Sequence, residues 1–409
     1  MFISVTFPPR LSVASLRLYN YARLFVKNGW NVTVLTSKQL GEITSSEFNF
    51  DGIEVIHVPW NDPFDKVQKI KNVFARKIAF KTLNIFVPYL ATWLPDRRFK
   101  SWRINTLNAA NKIINEKQIK YIYSSYSPPS PHLIARQLKR SLPHLFWISE
   151  YRDLWSHSHS NNLFRSLFAE FHFSFEKKVI LPADLVLTVS EGHRQFLSTK
   201  ILNKTHVLYN GCDFDSYSKI DSKREDNAFR ILYTGNIYKK TYDVGLFFKS
   251  FKKFIENQEY NNSEIHFIGT PETEFLKALI QKNDLKEKVI FHKKKANTEI
   301  KVLQKSADVL LQFVWNNAKQ TGNLTGKLFE YIAARKPILV VGEEKEVEKL
   351  ISDSESGKMC SNEKSIISYL ESIFKSNRAS LKTIENRNSK ISKENQFTLL
   401  ESHILSEKK

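Results

Sequence analysis

The 409-residue chain is poor in cysteine, with only Cys212 and Cys360. Two thiols without ligand spacing exclude a disulfide scaffold and a cysteine zinc site, and they suit a reducing, cytoplasmic location. Long apolar runs are also missing. The best candidate, residues 85–94, contains Pro88 and has about half the length needed to span a bilayer. The opening residues, Met1-Phe2-Ile3-Ser4-Val5-Thr6-Phe7-Pro8-Pro9, lack a basic n-region and a long h-region, so they read as a first strand and not a signal peptide. No Asp-x-Asp pair or histidine cluster stands in a context suited to a catalytic metal. Internal repeats, low-complexity segments and RNA-recognition signatures are absent as well. Acidic residues are in deficit: 42 against 62 basic ones leave a net charge of +20. Such a field attracts polyanions, whether nucleic acid, anionic headgroups or phosphorylated substrates, and composition does not choose among them.

What the chain does contain is aromatic bulk. Thirty Phe, 15 Tyr and 7 Trp, within an apolar fraction of 42%, are enough for full cores in two domains of ordinary size. Short β-branched and aromatic runs alternate with helical patterns. One series covers residues 2–7, 32–36, 53–58, 121–126, 145–151 and 185–190. A second covers 231–234, 265–268, 289–292, 309–314 and 337–341. Runs this apolar, each followed by a helix, describe parallel strands covered on both faces. Helical stripes at Leu16, Tyr19, Leu24 and Phe25, and at Phe247, Phe248, Phe251 and Phe254, read as core.

Two strand–helix series predict an α/β protein of two doubly wound domains, 1–208 and 209–381. The Asn210-Gly211 turn marks the break, and the charged stretch 219–226 leads into the second domain. The polar tail 382–409 has helical spacing and is expected to cross back onto the first domain. Ligands of open parallel sheets bind beyond the carboxyl ends of the strands, so a ligand is expected in a cleft between the domains.

The segment from Gly322 to Val341 reads as a glycine-punctuated loop, a short helix and a buried strand. A loop of exposed N–H groups opening a helix makes an anion site. Glu330, one turn inside, can accept hydrogen bonds from two hydroxyls. Amides for phosphate and a carboxylate for a sugar diol suit a nucleotide sugar. The same pattern also fits an ordinary αβ unit with a solvated glutamate.

Several segments together resemble the retaining glycosyltransferases of family 4, which have the GT-B fold, and within them the bacterial branch that builds O-antigen and capsule polysaccharides. Pro8-Pro9, Ser15-Leu16-Arg17 and Asn28-Gly29-Trp30 through Thr36 resemble that family's first strand, loop and helix. Glu150-Tyr151-Arg152-Asp153-Leu154-Trp155 is similar to its Arg-Asp-Pro-Trp segment, with Leu154 in the proline's place. Glu176 through Ser190, Asn210-Gly211 with Asp213, and Tyr233 through Tyr238 resemble further landmarks in the family's order. The family's donor motif has two glutamates eight positions apart. Glu330 matches the second, and Gly322 stands at the first.

The resemblance implies two Rossmann-like domains facing across a cleft, with the first binding acceptor and the second binding nucleotide sugar. It implies metal-independent, α-retaining transfer of a hexosyl or N-acetylhexosaminyl group, most simply from a UDP-sugar, to a lipid-linked or oligosaccharide acceptor. No cofactor is expected. Lys327 is expected to neutralise the leaving diphosphate, with Lys239 or Lys240, while Glu330 binds the ribose hydroxyls. Gly235 and Asn236 end the second domain's first strand beside the donor. Backbone amides of Gly322, Asn323, Leu324, Thr325 and Gly326 hold phosphate or sugar hydroxyls. Arg17 is expected to reach the diphosphate from the first domain, and Asp153 to orient or deprotonate the acceptor hydroxyl. His157 and His159 read as incidental.

Residues 66–103 interleave Lys66, Lys69, Lys71, Arg76, Lys77, Lys81, Arg97, Arg98, Lys100 and Arg103 with Phe74, Phe80, Ile85, Phe86, Trp93, Leu94 and Trp102. A basic face carrying Phe and Trp suits an anionic membrane surface and not nucleic acid, so the protein is expected at the inner face of the cytoplasmic membrane. Two other readings remain: a GT-B-fold sugar-nucleotide epimerase, and a non-catalytic polyanion-binding protein with a degenerate GT-B fold.

Overall fold

In the computed structural model the chain forms two compact units, Met1–Tyr209 with Phe397–Lys409, and Asn210–Gln396. The structure describes residues 1–10, 12–37, 48–62, 67, 69–82, 97–156, 169–221, 224, 226–239, 241–315, 322–376 and 388–406. Lys66, Ile85, Phe86, Trp93, Leu94, His157, His159 and Lys240 lie outside the described residues.

The first unit is built on one parallel sheet of seven strands: β1 (Phe2–Ile3), β2 (Val32–Ser37), β3 (Ile53–Val58), β4 (Tyr121–Tyr126), β5 (Phe146–Tyr151), β6 (Leu185–Thr188) and β7 (Thr205–Val207). Their spatial order is β3-β2-β1-β4-β5-β6-β7. Ile122 pairs with Trp147, and Tyr123 with Ile148. The first pair joins a core cluster with Ile134, Leu138 and Trp102. The second joins a separate cluster with Phe2, Val34, Leu187 and Phe397 on the other face. Successive strand residues point to opposite faces, and both faces are covered, which is why these strands read as unbroken apolar runs.

The helix Val13–Lys27 covers one face. Its most deeply buried apolar residues are Leu18, Tyr21, Ala22 and Phe25. The expected stripe was shifted, for Tyr19 and Leu24 are only partly buried at the edge of the same cluster. Ser12 caps this helix: its Oγ accepts from Ser15 N at 3.0 Å, and Ser12 N donates to Ser15 Oγ at 2.9 Å. The last helix, Lys393–Ser406, places Phe397, Leu400 and Ile404 in the first unit's core, and Trp30 Nε1 donates to Glu401 at 2.7 Å.

The second unit carries β8 (Phe229–Thr234), β9 (Ser263–Ile268), β10 (Val289–His292), β11 (Val309–Phe313), β12 (Ile338–Val341) and β13 (Gly357–Cys360). Their order is β10-β9-β8-β11-β12-β13, all parallel. On the helix Val244–Glu256, Phe247, Phe248, Phe251 and Phe254 are buried against this sheet. Each contributes about 1.5–3 kcal/mol of apolar burial.

Two features differ from the sequence reading. β1 stops at Ile3 instead of Phe7, because Ser4 Oγ closes a local turn onto Thr6 O and N at 2.9 and 3.3 Å. β7 and β13 were not foreseen; they are edge strands of three and four residues, too short to show a period. Within the second unit Arg224 bonds the carbonyl of Ser306 at 3.0 Å and Asp308 at 3.1 Å.

Candidate functional site

In each sheet the strand order reverses once, between β1 and β4 and between β8 and β11. The crevice at such a reversal, beyond the carboxyl ends, is where open α/β sheets bind ligands. The helix Gly326–Ala334 follows β11 and lays its first turn over the end of β8. Lys327 Nζ donates to the Tyr233 hydroxyl at 2.8 Å. One turn later, Tyr331 OH accepts from Thr234 N at 2.9 Å. Gly235 ends the strand at φ +100°, and a Cβ there would sit 3.6 Å from Lys327 Nζ. The lysine amine therefore lies directly over the end of β8.

The two switch points differ in how their helices begin. Ser12 and Ser15 form a capping box that opens Val13–Lys27, Ser12 Oγ taking the Ser15 amide and Ser15 Oγ the Ser12 amide. Thr325, at the N-cap of Gly326–Ala334, makes no side-chain capping bond. Its Oγ1 is buried without a hydrogen-bond partner among the described residues. The second helix has no side-chain cap to compete with an anion for its opening donors and the positive end of its dipole. The loop before it is fixed by Gly322, at φ +83°, whose N donates to Glu344 Oε1 at 3.3 Å and whose carbonyl accepts from Leu324 N at 2.9 Å.

Glu330 is half-buried on the same helix. Gln304 Nε2 donates to it at 3.4 Å, and the Tyr217 hydroxyl in turn donates to Gln304 Oε1. Burial pushes the Glu330 carboxyl above its ordinary range, against the pull of Gln304, Lys301, Lys393 and Lys327. Burial also pushes the Lys327 ammonium down to about 7, with Glu330 opposing. Lys301 is lowered by the same cause, and its Nζ donates to Ser216 Oγ at 2.8 Å. Burial disfavours the charged form of Asp213, yet Lys393, at 3.1 Å, and Lys301 hold its carboxyl below the usual value. The result is one half-buried carboxylate facing three lysines beside an uncapped helix end. This arrangement can accept hydroxyl hydrogen bonds and neutralise a phosphate.

The structure thus brings together Gly235, Lys327, Glu330 and the loop of Gly322, Asn323, Leu324, Thr325 and Gly326. Asn236 is exposed, and its carbonyl accepts from Tyr233 OH at 2.7 Å. Lys239 is also exposed, its amine 5.5 Å from the Phe275 ring centre. Arg17 corrects the expectation of an outward-reaching cation. It is buried in the first unit, donating to Glu150 Oε1 at 2.7 Å, Leu208 O at 2.9 Å and Tyr209 O at 2.8 Å. Its guanidinium answers the buried Glu150 carboxylate, a pairing that a single-residue reading did not contain. Asp153 is exposed just beyond the carboxyl end of β5 and lies 3.4 Å from Arg152. Sequence reasoning missed Lys301, Gln304, Lys393, Tyr233, Tyr331 and Glu344. Lys301 and Gln304, three apart on the helix Asn297–Ser306, were the one pair whose spacing placed them on a common face.

Residues 73–82 are helical. Val73, Phe74 and Ile78 are 54%, 74% and 52% exposed beside exposed Lys71, Arg76, Lys77 and Lys81. Among the described residues no helix is long and apolar enough to cross a membrane.

Two parallel Rossmann-like sheets of this make-up define the architecture of GT-B glycosyltransferases. Residues 216–390 match the family model of glycosyl transferases group 1. No curated protein sequence matches the chain. Among solved structures the fold is similar to a glycosyltransferase from Rickettsia africae ESF-5, at 13% identity and TM-score 0.65, over 98% of this chain and 97% of that one. It is similar to Anabaena HepE in complex with UDP and glucose, at 12% identity and TM-score 0.62, over 99% and 98% of the two chains. WaaG, a glycosyltransferase involved in lipopolysaccharide biosynthesis, matches at 14% identity and TM-score 0.57, over 98% and 97%.

Proposed function

We propose that this protein is a retaining glycosyltransferase that moves a hexosyl or N-acetylhexosaminyl group from a UDP-sugar to a lipid-linked or oligosaccharide acceptor in cell-surface polysaccharide synthesis. The observation that carries this reading is the placement of Lys327 and Glu330 on one uncapped helix end at the β8/β11 switch point. The diphosphate lies at the amides of residues 322–326, where the helix dipole and Lys327 offset its charge as the glycosidic bond breaks. Glu330 accepts the ribose hydroxyls, and Gly235 lets the backbone come close. Lys239 extends the cationic rim. Asp153 orients the acceptor hydroxyl, and the departing phosphate takes its proton. No step requires a metal or cofactor, because lysines and helix amides supply the positive charge. Support for UDP comes from the likeness to HepE, which was solved with UDP and glucose. The basic, apolar surface of residues 71–81 supports work at an anionic membrane on the cytoplasmic side.

Thermal unfolding with UDP, GDP, ADP and CMP tests the donor site. UDP at about 100 times its dissociation constant should add roughly 2.7 kcal/mol. Lys327→Ala and Glu330→Ala should each abolish the response. Undiminished shifts in both variants would remove the assigned pocket. UDP release that depends on an added glycolipid acceptor marks a transferase, whereas conversion of a UDP-sugar without acceptor marks an epimerase.

A further inference from the structure

We propose that Tyr233 is the positioning residue that fixes the Lys327 amine over the carboxyl end of β8. The proposal deepens the donor-site reading above and rests on it for its consequence in nucleotide binding. The Tyr233 ring is fully buried and held between the rings of Phe313 and Phe267, 5.5 and 5.8 Å away, so it has no room to turn. Its hydroxyl hydrogen goes to Asn236 O at 2.7 Å. The oxygen's lone pair is then free for a donor, and Lys327 Nζ takes it at 2.8 Å. The amine also stands 4.1 Å from the Tyr233 ring centre, at the end of a side chain with four rotatable bonds. Pinning so flexible a chain before the ligand arrives removes an ordering cost from binding.

A second tie runs the other way. Tyr331 lies one turn after Lys327 on the same face, and its hydroxyl meets Thr234 N at 2.9 Å and Thr234 Oγ1 at 3.1 Å. Strand tyrosine holds helix lysine, and helix tyrosine holds the strand end. The Tyr233 hydroxyl is spent on Asn236 and Lys327, so it positions the cation and does not itself reach the donor. The other charged groups near Lys327 are Glu330 on its own helix and, facing Glu330, Lys301 from Asn297–Ser306 and Lys393 from Lys393–Ser406.

The test is Tyr233→Phe, which keeps the ring and removes the acceptor. Competitive acetylation with acetic anhydride, read by mass spectrometry across pH, reports the Lys327 amine without any nucleotide. A hydrogen bond accepted from the ammonium favours the charged form, so its loss should move the Lys327 titration down by roughly one pH unit. UDP binding by calorimetry at pH 7.5 should weaken about tenfold. An unmoved Lys327 titration, or a UDP affinity equal to that of the wild type, overturns the proposal. Should Tyr233→Phe unfold, 3,5-difluorotyrosine at position 233 weakens the acceptor with the ring in place and must give a shift of the same sign. If the wild-type protein fails to bind UDP, the donor-site reading falls while the acetylation arm still decides the role of Tyr233.

Discussion

Binding of UDP should take up a proton, because the free site holds Lys327 mostly neutral above pH 7. Burial brings the amine from 10.5 to about 7. At pH 8 the free protein then has about nine in ten Lys327 side chains uncharged. A diphosphate beside the amine favours the ammonium, as any close opposite charge does. Binding at pH 8 should therefore absorb about 0.9 proton, falling to about 0.5 at pH 7 as the free amine is already half charged. The terminal phosphate of UDP, with a pKa near 6, is fully ionised at pH 8 and adds little there. Calorimetry in buffers of different ionisation enthalpy reads the number directly, as the slope of apparent enthalpy against buffer enthalpy. The same shift has a consequence for the empty protein. Between pH 7 and 10.5 the unfolded chain binds more protons at this lysine than the folded one, so stability through Lys327 rises with pH across that window. Lys327→Met should remove this rise. A slope near zero at pH 8 would refute the assignment of Lys327 to the diphosphate.

Glu150→Ala leaves Arg17 buried without its charge partner and should cost about 3–5 kcal/mol in urea unfolding, with the response to UDP intact if the first unit still folds. Gly235→Ala forces a side chain into φ +100° and should lower stability by about 1–3 kcal/mol. The added methyl faces the Lys327 amine, so UDP affinity should fall with it. Replacing Phe74 and Ile78 by Asp should weaken binding to vesicles containing anionic lipid at low salt, leave the thermal midpoint nearly unchanged, and spare UDP binding. Equal vesicle binding by wild type and variant would remove that surface from the membrane reading.

The parallel sheets were legible because burial on both faces writes apolar runs into a sequence, and Tyr121–Tyr126 shows the effect to the residue. The stripe Phe247, Phe248, Phe251 and Phe254 was legible for the same reason at helical period. What escaped were segments whose shape is decided by a polar side chain. Ser4 ends β1 by bonding Thr6, and no hydrophobic pattern records that choice. Edge strands β7 and β13 escaped because three or four residues carry no measurable period.

The site divides along the same line. Local chemistry, such as a glycine-rich loop opening a helix with Glu330 one turn in, is visible in twenty consecutive residues. Long-range electrostatics are not. Arg17 is expected at the diphosphate from its place at the start of a helix, and Glu150, 133 positions away, takes it. Lys327 is expected there too, and only the fold shows its amine desolvated on Tyr233, 94 positions earlier. The two cases run in opposite directions for a common reason. A buried guanidinium keeps its charge and must find a carboxylate, so its partner fixes it in the core. A buried amine sheds its proton instead, and hydrogen-bonded to a hydroxyl it stays receptive to an incoming anion. Of Arg17 and Lys327, both expected at the diphosphate, Lys327 is the one with no ion pair holding it among the described residues, and the uncapped helix that carries it points to the same ligand.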